Sequence, residues 1–197
     1  MKISHQFGVA LLATLAGCMT PATQDPEEVA ASIQKATAAA DLLFQRLSGE
    51  LATALTNGGP AAAVAICKDR APAIAAEIEA SSGVDIERTA LRVRNLANAP
   101  DDWKKWAMES FRTRRQAGED WSAMTATRID EQQIRWMRPI PLGGMCVACH
   151  GNAEAISPET RRALLGAYPA DMAVGFSTGE LRGAFTARVT LQPVESP

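Results

Sequence analysis

Long hydrophobic runs, an excess of basic residues and internal repeats are all missing from this 197-residue sequence. After the first apolar segment at the N-terminus, no stretch reaches the roughly 20 apolar residues that a membrane-spanning helix needs. Acidic and basic side chains nearly balance, at 22 against 20, so the charge pattern predicts no nucleic-acid partner. The length suits one compact domain with its own core.

The N-terminus carries the pattern of a lipoprotein signal peptide. Lys2 gives a basic start, the residues from Phe7 to Leu15 are apolar but too short to span a bilayer, and Ala-Gly-Cys18 follows. This order predicts a signal peptide over residues 1–17, with Cys18 as the first mature residue and the site of lipidation. An ordinary signal peptide, cut one or two residues earlier, is the alternative.

The lipid on Cys18 predicts a location on the periplasmic side of the cell envelope. Several acyl chains on one cysteine anchor a protein stably, whereas a single chain is marginal. Met19, rather than aspartate, after the cysteine favours the outer membrane. Residues 18–26 are then expected to form a tether, residues 27–191 the folded domain and residues 192–197 a loose tail.

Histidine and cysteine are scarce, with two histidines and four cysteines in the whole sequence. His5 is removed with the predicted signal peptide, which leaves His150 as the only histidine of the mature chain. A metal site with two histidines from one mature chain is therefore excluded. Two of the cysteines stand directly before that histidine, in the string Cys146-Val-Ala-Cys149-His150.

Cys-x-x-Cys-His is the attachment signature of haem c. On a helical turn, Cys146, Cys149 and His150 occupy positions i, i+3 and i+4 and share one face. The two thiols can then reach the two vinyl groups of one porphyrin while the imidazole reaches its iron. The string therefore predicts one covalent haem c, with thioether bonds from both cysteines and His150 as an axial iron ligand.

Three other interpretations of the string were weighed against haem. A thioredoxin-type redox pair stands at a helix start after a strand and does not need His150. A zinc site needs further ligands, and Cys67 is the obvious remaining one. A disulfide between Cys146 and Cys149 would leave the histidine incidental. The spacing and the secretion signal favour haem over all three.

The second axial position is not decided by the residues alone. Cys67 lies in a predicted helix over residues 60–80, on an apolar stripe at helical spacing. A small buried hydrophobe is one interpretation of Cys67, and a thiolate bound to iron is the other. Methionine often partners histidine in haem c proteins, so Met137 and Met172 stay open as ligands.

Apolar periodicity predicts helices in the N-terminal half and strands mainly in the C-terminal half, as in an α+β domain. The predicted helices are Pro26–Thr56 and Pro60–Ala80, separated by Gly58-Gly59, then Asp101–Gln116 and Ser157–Leu165. The predicted strands are one within Val84–Leu96, one at Gln132–Met137, and a hairpin of Ala173–Phe176 with Leu181–Leu191.

The helix over residues 101–116 is predicted to turn four residues inward: Trp103, Trp106, Ala107 and Phe111. Its last turn carries three arginines that are expected in solvent, with pairing to haem propionates as the alternative: Arg112, Arg114 and Arg115.

Five segments occur in a familiar order along the chain. They are Ala65-Ile-Cys67, Leu91-Arg-Val-Arg-Asn95 with Asn98-Ala-Pro100, Cys146-Val-Ala-Cys-His-Gly151, Tyr168-Pro-Ala-Asp171, and Gly175-Phe-Ser-Thr-Gly-Glu-Leu-Arg-Gly183. In this order they resemble the PAS-like haem c domain family of the cyanobacterial Tll-type haem proteins, over residues 27–191.

The resemblance implies a pair of N-terminal helices packed on a PAS-like antiparallel sheet, in one domain. It also implies a haem held by two thioethers and by axial histidine and cysteine, which by position are His150 and Cys67. Members of the family are proposed as electron carriers or as redox or gas sensors, so the resemblance leaves the activity open.

The expected function is single-electron transfer or redox sensing at one haem iron, with an unidentified redox protein as partner. Thiolate ligation predicts a low potential compared with His/Met cytochromes. The alternative is a sensor of a small gas such as CO or NO, in which Cys67 leaves the iron on reduction. A catalyst would need acid–base groups at an open iron position, and the only mature histidine is already used, so enzyme activity is not expected.

Overall fold

Helix α1 (Pro26–Ala65) opens the part of this computed structural model that is described, which comprises residues 24–130 and 132–192. Asp25 caps its N-terminus by accepting a hydrogen bond from the Glu27 amide at 2.9 Å, and Pro26 fills the first position. The predicted signal peptide, Cys18 and most of the tether lie outside the described residues, as does nearly all of the predicted tail.

The predicted break at Gly58-Gly59 is present as a kink inside α1. Gly59 has φ 68° and ψ −172°, a conformation that is essentially restricted to glycine. Pro60 follows directly, so the chain restarts as a helix with a residue that needs no amide donor. The two predicted helices therefore exist, joined through this one residue without a loop.

One π-helical turn (Ile66–Arg70) separates α1 from α2 (Ala71–Ser82). The amide of Ala71 bonds to the carbonyl of Ile66, five residues back, which widens the turn that carries Cys67. Such turns are rare and occur frequently at functional sites. Gly83 ends α2 in the left-handed conformation, at φ 70°.

Four strands form one antiparallel sheet in the order β1-β4-β3-β2. They are β1 (Asp85–Thr89), β2 (Ala126–Asp130), β3 (Gln133–Pro141) and β4 (Leu181–Thr190). β4 pairs with both β1 and β3, although it comes last in the chain.

Helices cover both faces of the sheet. Helices α1 and α2 pack on one face in a core that includes Leu43, Ile74, Trp136 and Phe185. Helix α3 (Asp102–Gln116) packs its Met108 and Phe111 on the other face, against Met137 and Ala184. The alternation of side chains along β3 and β4 separates these two cores. The α+β prediction, with helices on an antiparallel sheet in one domain, is confirmed.

Two short helices lie between β3 and β4 in the chain. Helix α4 (Val147–His150) follows β3, and α5 (Pro158–Ala167) follows α4. Ser157 caps α5, as the sequence predicts, by accepting a hydrogen bond from the Thr160 amide at 3.1 Å. Within the described ranges, no helix has the length and apolar character of a membrane span.

Several predicted elements are wrong. The strand expected within Val84–Leu96 stops at Thr89, and the segment Ala173–Phe176 is not a strand, so β4 has no hairpin partner there. Strand β2 was not predicted. Trp106 is 62% exposed, whereas Ala107 and Phe111 take the inward positions on α3.

Candidate functional site

Helix α4 is one turn long and carries the Cys-x-x-Cys-His string. Cys149 and His150 lie in the helix and Cys146 in the 3₁₀ turn just before it. The amide of Gly151 donates to the carbonyl of Val147 at 2.8 Å, and a Cβ at residue 151 would lie 2.6 Å from that oxygen. A larger residue at position 151 would clash with the Val147 carbonyl, so glycine is needed directly after the histidine, where α4 ends.

The string opens onto a cavity of about 550 Å³, within the size range of ligand pockets. Cys67, Cys146, Cys149 and His150 all line it, so the fold brings the four predicted haem-binding residues to one space. Most of the remaining wall is apolar and comes from α1, β1, β3 and β4. Both motif cysteines are half-buried free thiols, as is Cys67.

The methionines that the sequence left open lie elsewhere. Met137 is fully buried in the core beneath α3, and Met172 is 50% exposed. Neither lines the cavity, whereas Met145 does but stands next to Cys146. The described residues contain no group of three or more His, Cys, Asp or Glu side chains that could hold a metal ion.

The His150 ring is oriented by a carbonyl. Its Nδ1 lies 2.7 Å from the carbonyl oxygen of Ala173, an acceptor, so Nδ1 carries the proton and Nε2 keeps its lone pair. Histidine ligands of metals are usually held in this way. Arg182 Nε lies 3.1 Å from Nδ1 and 3.4 Å from Nε2. Because Nδ1 donates to Ala173, Nε2 is the ring atom that can accept from this arginine.

Burial and neighbouring cations keep the imidazole neutral. Burial, followed by the charges of Arg182 and Arg94, lowers the pKa of His150 to about 2. Burial likewise raises the pKa of the Cys146 and Cys149 thiols. At neutral pH the α4 side of the cavity thus presents two protonated thiols and one neutral imidazole, the form that can ligate iron.

A buried ion pair supports the carbonyl that holds the histidine. Arg94 Nε lies 3.0 Å from an Asp171 oxygen, and both side chains are at most 10% exposed. Arg94 Nη2 also donates to the carbonyls of Cys149, at 2.5 Å, and Ala173, at 3.1 Å. Asp171 in turn accepts from the Ala173 amide at 2.7 Å. The pair ties α4 to the segment after α5.

That segment also packs on the motif through its backbone and an aromatic ring. The Phe176 amide donates to the His150 carbonyl at 3.0 Å, and the Gly175 amide donates to the Gly151 carbonyl at 2.7 Å. The Phe176 ring stands edge-on to the imidazole, with Arg92 stacked 3.5 Å above its centroid. The segment Ala173–Phe176, which the sequence predicts as a strand, therefore hydrogen-bonds to the end of α4 and to Gly151 instead of pairing with β4.

From the sequence, no arginine outside α3 was placed at the cavity, yet four of them lie there. Arg88, Arg94, Arg138 and Arg182 line it. The alternation Leu91-Arg-Val-Arg was interpreted as a half-exposed strand, although Arg94 is only 8% exposed and faces the site. The three arginines of α3 instead contact acidic residues or carbonyls at the surface, and none lines the cavity: Arg112, Arg114 and Arg115.

Comparisons with a family model and with solved structures both point to the same family of proteins. Residues 20–190 match the family model described as Tll0287-like. Among solved structures, the chain is similar to one titled "Crystal structure of the cyanobacterial heme-protein Tll0287", with a TM-score of 0.60 and 22% identity, covering 88% of this chain and 99% of that one. At this identity the structural likeness shows a shared fold. No curated protein matches the chain.

Proposed function

This chain belongs to the Tll0287-like family, and on that premise we propose that it binds one haem c covalently and works as a lipid-anchored single-electron carrier or redox sensor. The observation that carries the proposal is the meeting of Cys67, Cys146, Cys149 and His150 around one largely apolar cavity. The similar cyanobacterial structure is titled a heme-protein, which supports the same cofactor here.

The donor set fits haem c chemically. Cys146 and Cys149 would each hold the porphyrin through a thioether, the product of adding S–H across one vinyl group, with sulfur on one vinyl carbon, hydrogen on the other and no net oxidation or reduction. His150 offers Nε2 to iron because Nδ1 is engaged by Ala173. When bound, haem supplies a one-electron Fe(III)/Fe(II) couple.

Cys67 is the proposed second axial ligand. It is the lining residue with a sulfur atom outside the segment Met145–His150, among the residues that the structure describes. As a thiolate it would favour the ferric state, so we expect a lower potential than that of His/Met cytochromes.

The ferric spectrum of the full chain, produced in a host that matures c-type cytochromes, tests this assignment. We expect thioether-linked haem in a pyridine haemochrome assay and low-spin thiolate features in the EPR spectrum. Cys67→Ala should remove the thiolate features while haem stays attached, and Met172→Ala, the control, should keep them. A colourless, iron-free product would refute the haem proposal, and an unchanged spectrum in Cys67→Ala would refute only its ligand.

The proposed lipid anchor at Cys18, on the periplasmic face of the outer membrane, has its own test. Cys18→Ser should move the protein from the membrane fraction to the soluble fraction while the haem spectrum stays the same. Retention of the variant in the membrane fraction would contradict the anchor.

A gas sensor is the second candidate, and the structure around Cys67 favours it. Within the described residues, no side-chain hydrogen bond holds Cys67, and its turn has the wide π-helical geometry. On reduction, departure of this sulfur would open a coordination position for CO or NO. Rapid CO binding to the reduced wild type would support sensing, and failure of CO to bind would favour electron transfer.

A further inference from the structure

The charged lining of the cavity is entirely cationic. Four arginines line it, and no aspartate, glutamate or lysine does. Two of them form ion pairs with carboxylates that do not line the cavity: Arg94 with Asp171 at 3.0 Å and Arg138 with Asp41 at 2.7 Å.

The other two arginines lack such a partner. Among the described residues, no carboxylate lies within ion-pair distance, 4.0 Å, of Arg88 or Arg182. Among the described residues, Arg182 contacts the His150 ring, the Arg92 carbonyl at 3.4 Å and the face of the Phe176 ring, 5.5 Å from its centroid, but no carboxylate. Arg88 projects from β1 into the cavity and makes no side-chain hydrogen bond in the described structure.

Two polar groups lie near Arg88; neither is a carboxylate, and the only anion that they could supply is a Cys67 thiolate bound to iron. They are the Cys67 thiol and the Tyr168 hydroxyl. Burial raises the pKa of Tyr168 to about 12, so this phenol is neutral. Arginine stays protonated in proteins, so both guanidinium groups are cationic at neutral pH. A buried cation without a counter-charge is costly, typically by several kcal/mol.

We propose that Arg88 and Arg182 are the residues that bind the two propionate carboxylates of the cofactor, an inference that rests on the proposed function. The charges match, because two unpaired guanidinium groups face a group with two carboxylates. Guanidinium also matches the geometry of a carboxylate and can bind it through two parallel hydrogen bonds. The apolar remainder of the wall suits the macrocycle. The arginines of α3, which the sequence left open for this role, do not line the cavity.

Resonance Raman spectra of the ferric full-length protein test the assignment through the propionate bending band. We expect Arg88→Gln and Arg182→Gln each to shift this band, because a hydrogen bond to one carboxylate is lost. Arg138→Gln is the matched control: it also removes a cavity-lining guanidinium, but one that Asp41 already neutralises. It should leave the band in place. Arg88→Lys and Arg182→Lys keep the charge, so in these variants the band should lie closer to its wild-type position than in the glutamine variants.

The pH dependence of the midpoint potential gives a second readout. A guanidinium partner holds a carboxyl pKa below its usual range, so the wild-type potential should stay flat between about pH 4 and 6. In either glutamine variant the propionate pKa returns towards that range. The potential should then fall as pH rises through it, because the deprotonated carboxylate stabilises ferric iron.

The outcomes separate this inference from the function on which it rests. Absence of haem would defeat the proposed function. A haem-loaded protein whose band and pH profile are unchanged in both glutamine variants would overturn the propionate assignment alone. If Arg88→Gln alters only the thiolate EPR features, then Arg88 serves the Cys67 thiolate, and the proposed pair is likewise overturned.

Discussion

The two proposed axial ligands are held in contrasting ways. The histidine wall, which comprises residues 149–151 and 171–176, is fixed by the Arg94–Asp171 ion pair, by backbone bonds and by a stacked ring. The cysteine turn (Ile66–Arg70) carries Cys67 on a single π-helical turn. Arg70, at the end of this turn, pairs with Glu50 of α1 at 2.8 Å, but within the described residues the side chains of Cys67, Lys68 and Asp69 make no hydrogen bond.

The contrast assigns different tasks to the two ligands. An imidazole beside two thioether positions must keep one orientation, and a buried hydrogen-bonded network provides it. The Cys67 side chain, by contrast, is held by no hydrogen bond in the described structure, so its sulfur can shift or leave without breaking one. We infer that His150 stays in place in both oxidation states and that any redox-linked change occurs at Cys67.

The largest effect is expected from breaking the histidine wall. Asp171→Ala leaves Arg94 buried without its partner, a change that costs about 3–5 kcal/mol. Urea denaturation of the full chain measures this loss of stability. Asp69→Ala on the cysteine turn is the control and should change stability by no more than about 0.5 kcal/mol, because it removes an exposed side chain. Equal losses of stability in the two variants would contradict the claim that the histidine wall is held more firmly than the cysteine turn.

A smaller loss is expected at the kink that precedes the cysteine turn. Gly59→Ala forces an L-residue into a glycine conformation and should cost about 1–3 kcal/mol in free energy of unfolding. Gly49→Ala, on the same helix, places a methyl group in open space and should stabilise by about 0.5–1 kcal/mol. If both changes stabilise, the kink is not a fixed feature of α1.

Hydrogen exchange compares the two regions without mutation. The amides of Gly175 and Phe176 bond to the motif and should exchange slowly. The amides of Lys68 and Asp69, in the π-helical turn, should exchange at least about tenfold faster than these two. Local opening of this single turn is expected to break fewer contacts. Mass spectrometry of the full chain resolves the two segments. Equal protection would show that the cysteine turn is as rigid as the wall.

The smallest effect sets the baseline for the comparison. Arg112 pairs with Glu109 on the exposed face of α3, away from both regions. Arg112→Ala should change the free energy of unfolding by at most about 0.5 kcal/mol. A larger loss would mean that surface contacts dominate stability in this fold and that the Asp171→Ala result cannot be assigned to the wall alone.

Features with a local cause were predictable from the sequence. The kink at Gly59 follows from adjacent glycines before a proline, and the cap of α5 follows from Ser157-Pro158. The grouping of Cys146, Cys149 and His150 follows from helical spacing. Each depends on residues within one or two turns of each other.

Features that depend on distant partners were not predictable. Arg94 alternates with apolar residues as in a half-exposed strand, and only the fold shows that it meets Asp171 across the site. Strand β2 is almost wholly exposed, so it lacks the apolar alternation that would reveal it. Residues 173–176 are apolar because they cover α4, and the sequence pattern does not distinguish this from burial in a sheet.

The position of β4 constrains the order of events during synthesis. Strand β1 has no neighbour in the sheet until β4 has been made, whereas the Cys146–His150 segment leaves the ribosome before β4 does. A nascent polypeptide therefore displays both thiols while its sheet is still incomplete. Machinery that modified these sulfurs during synthesis would therefore meet an unfinished domain, because Arg182 and the other cavity residues of β4 are made last.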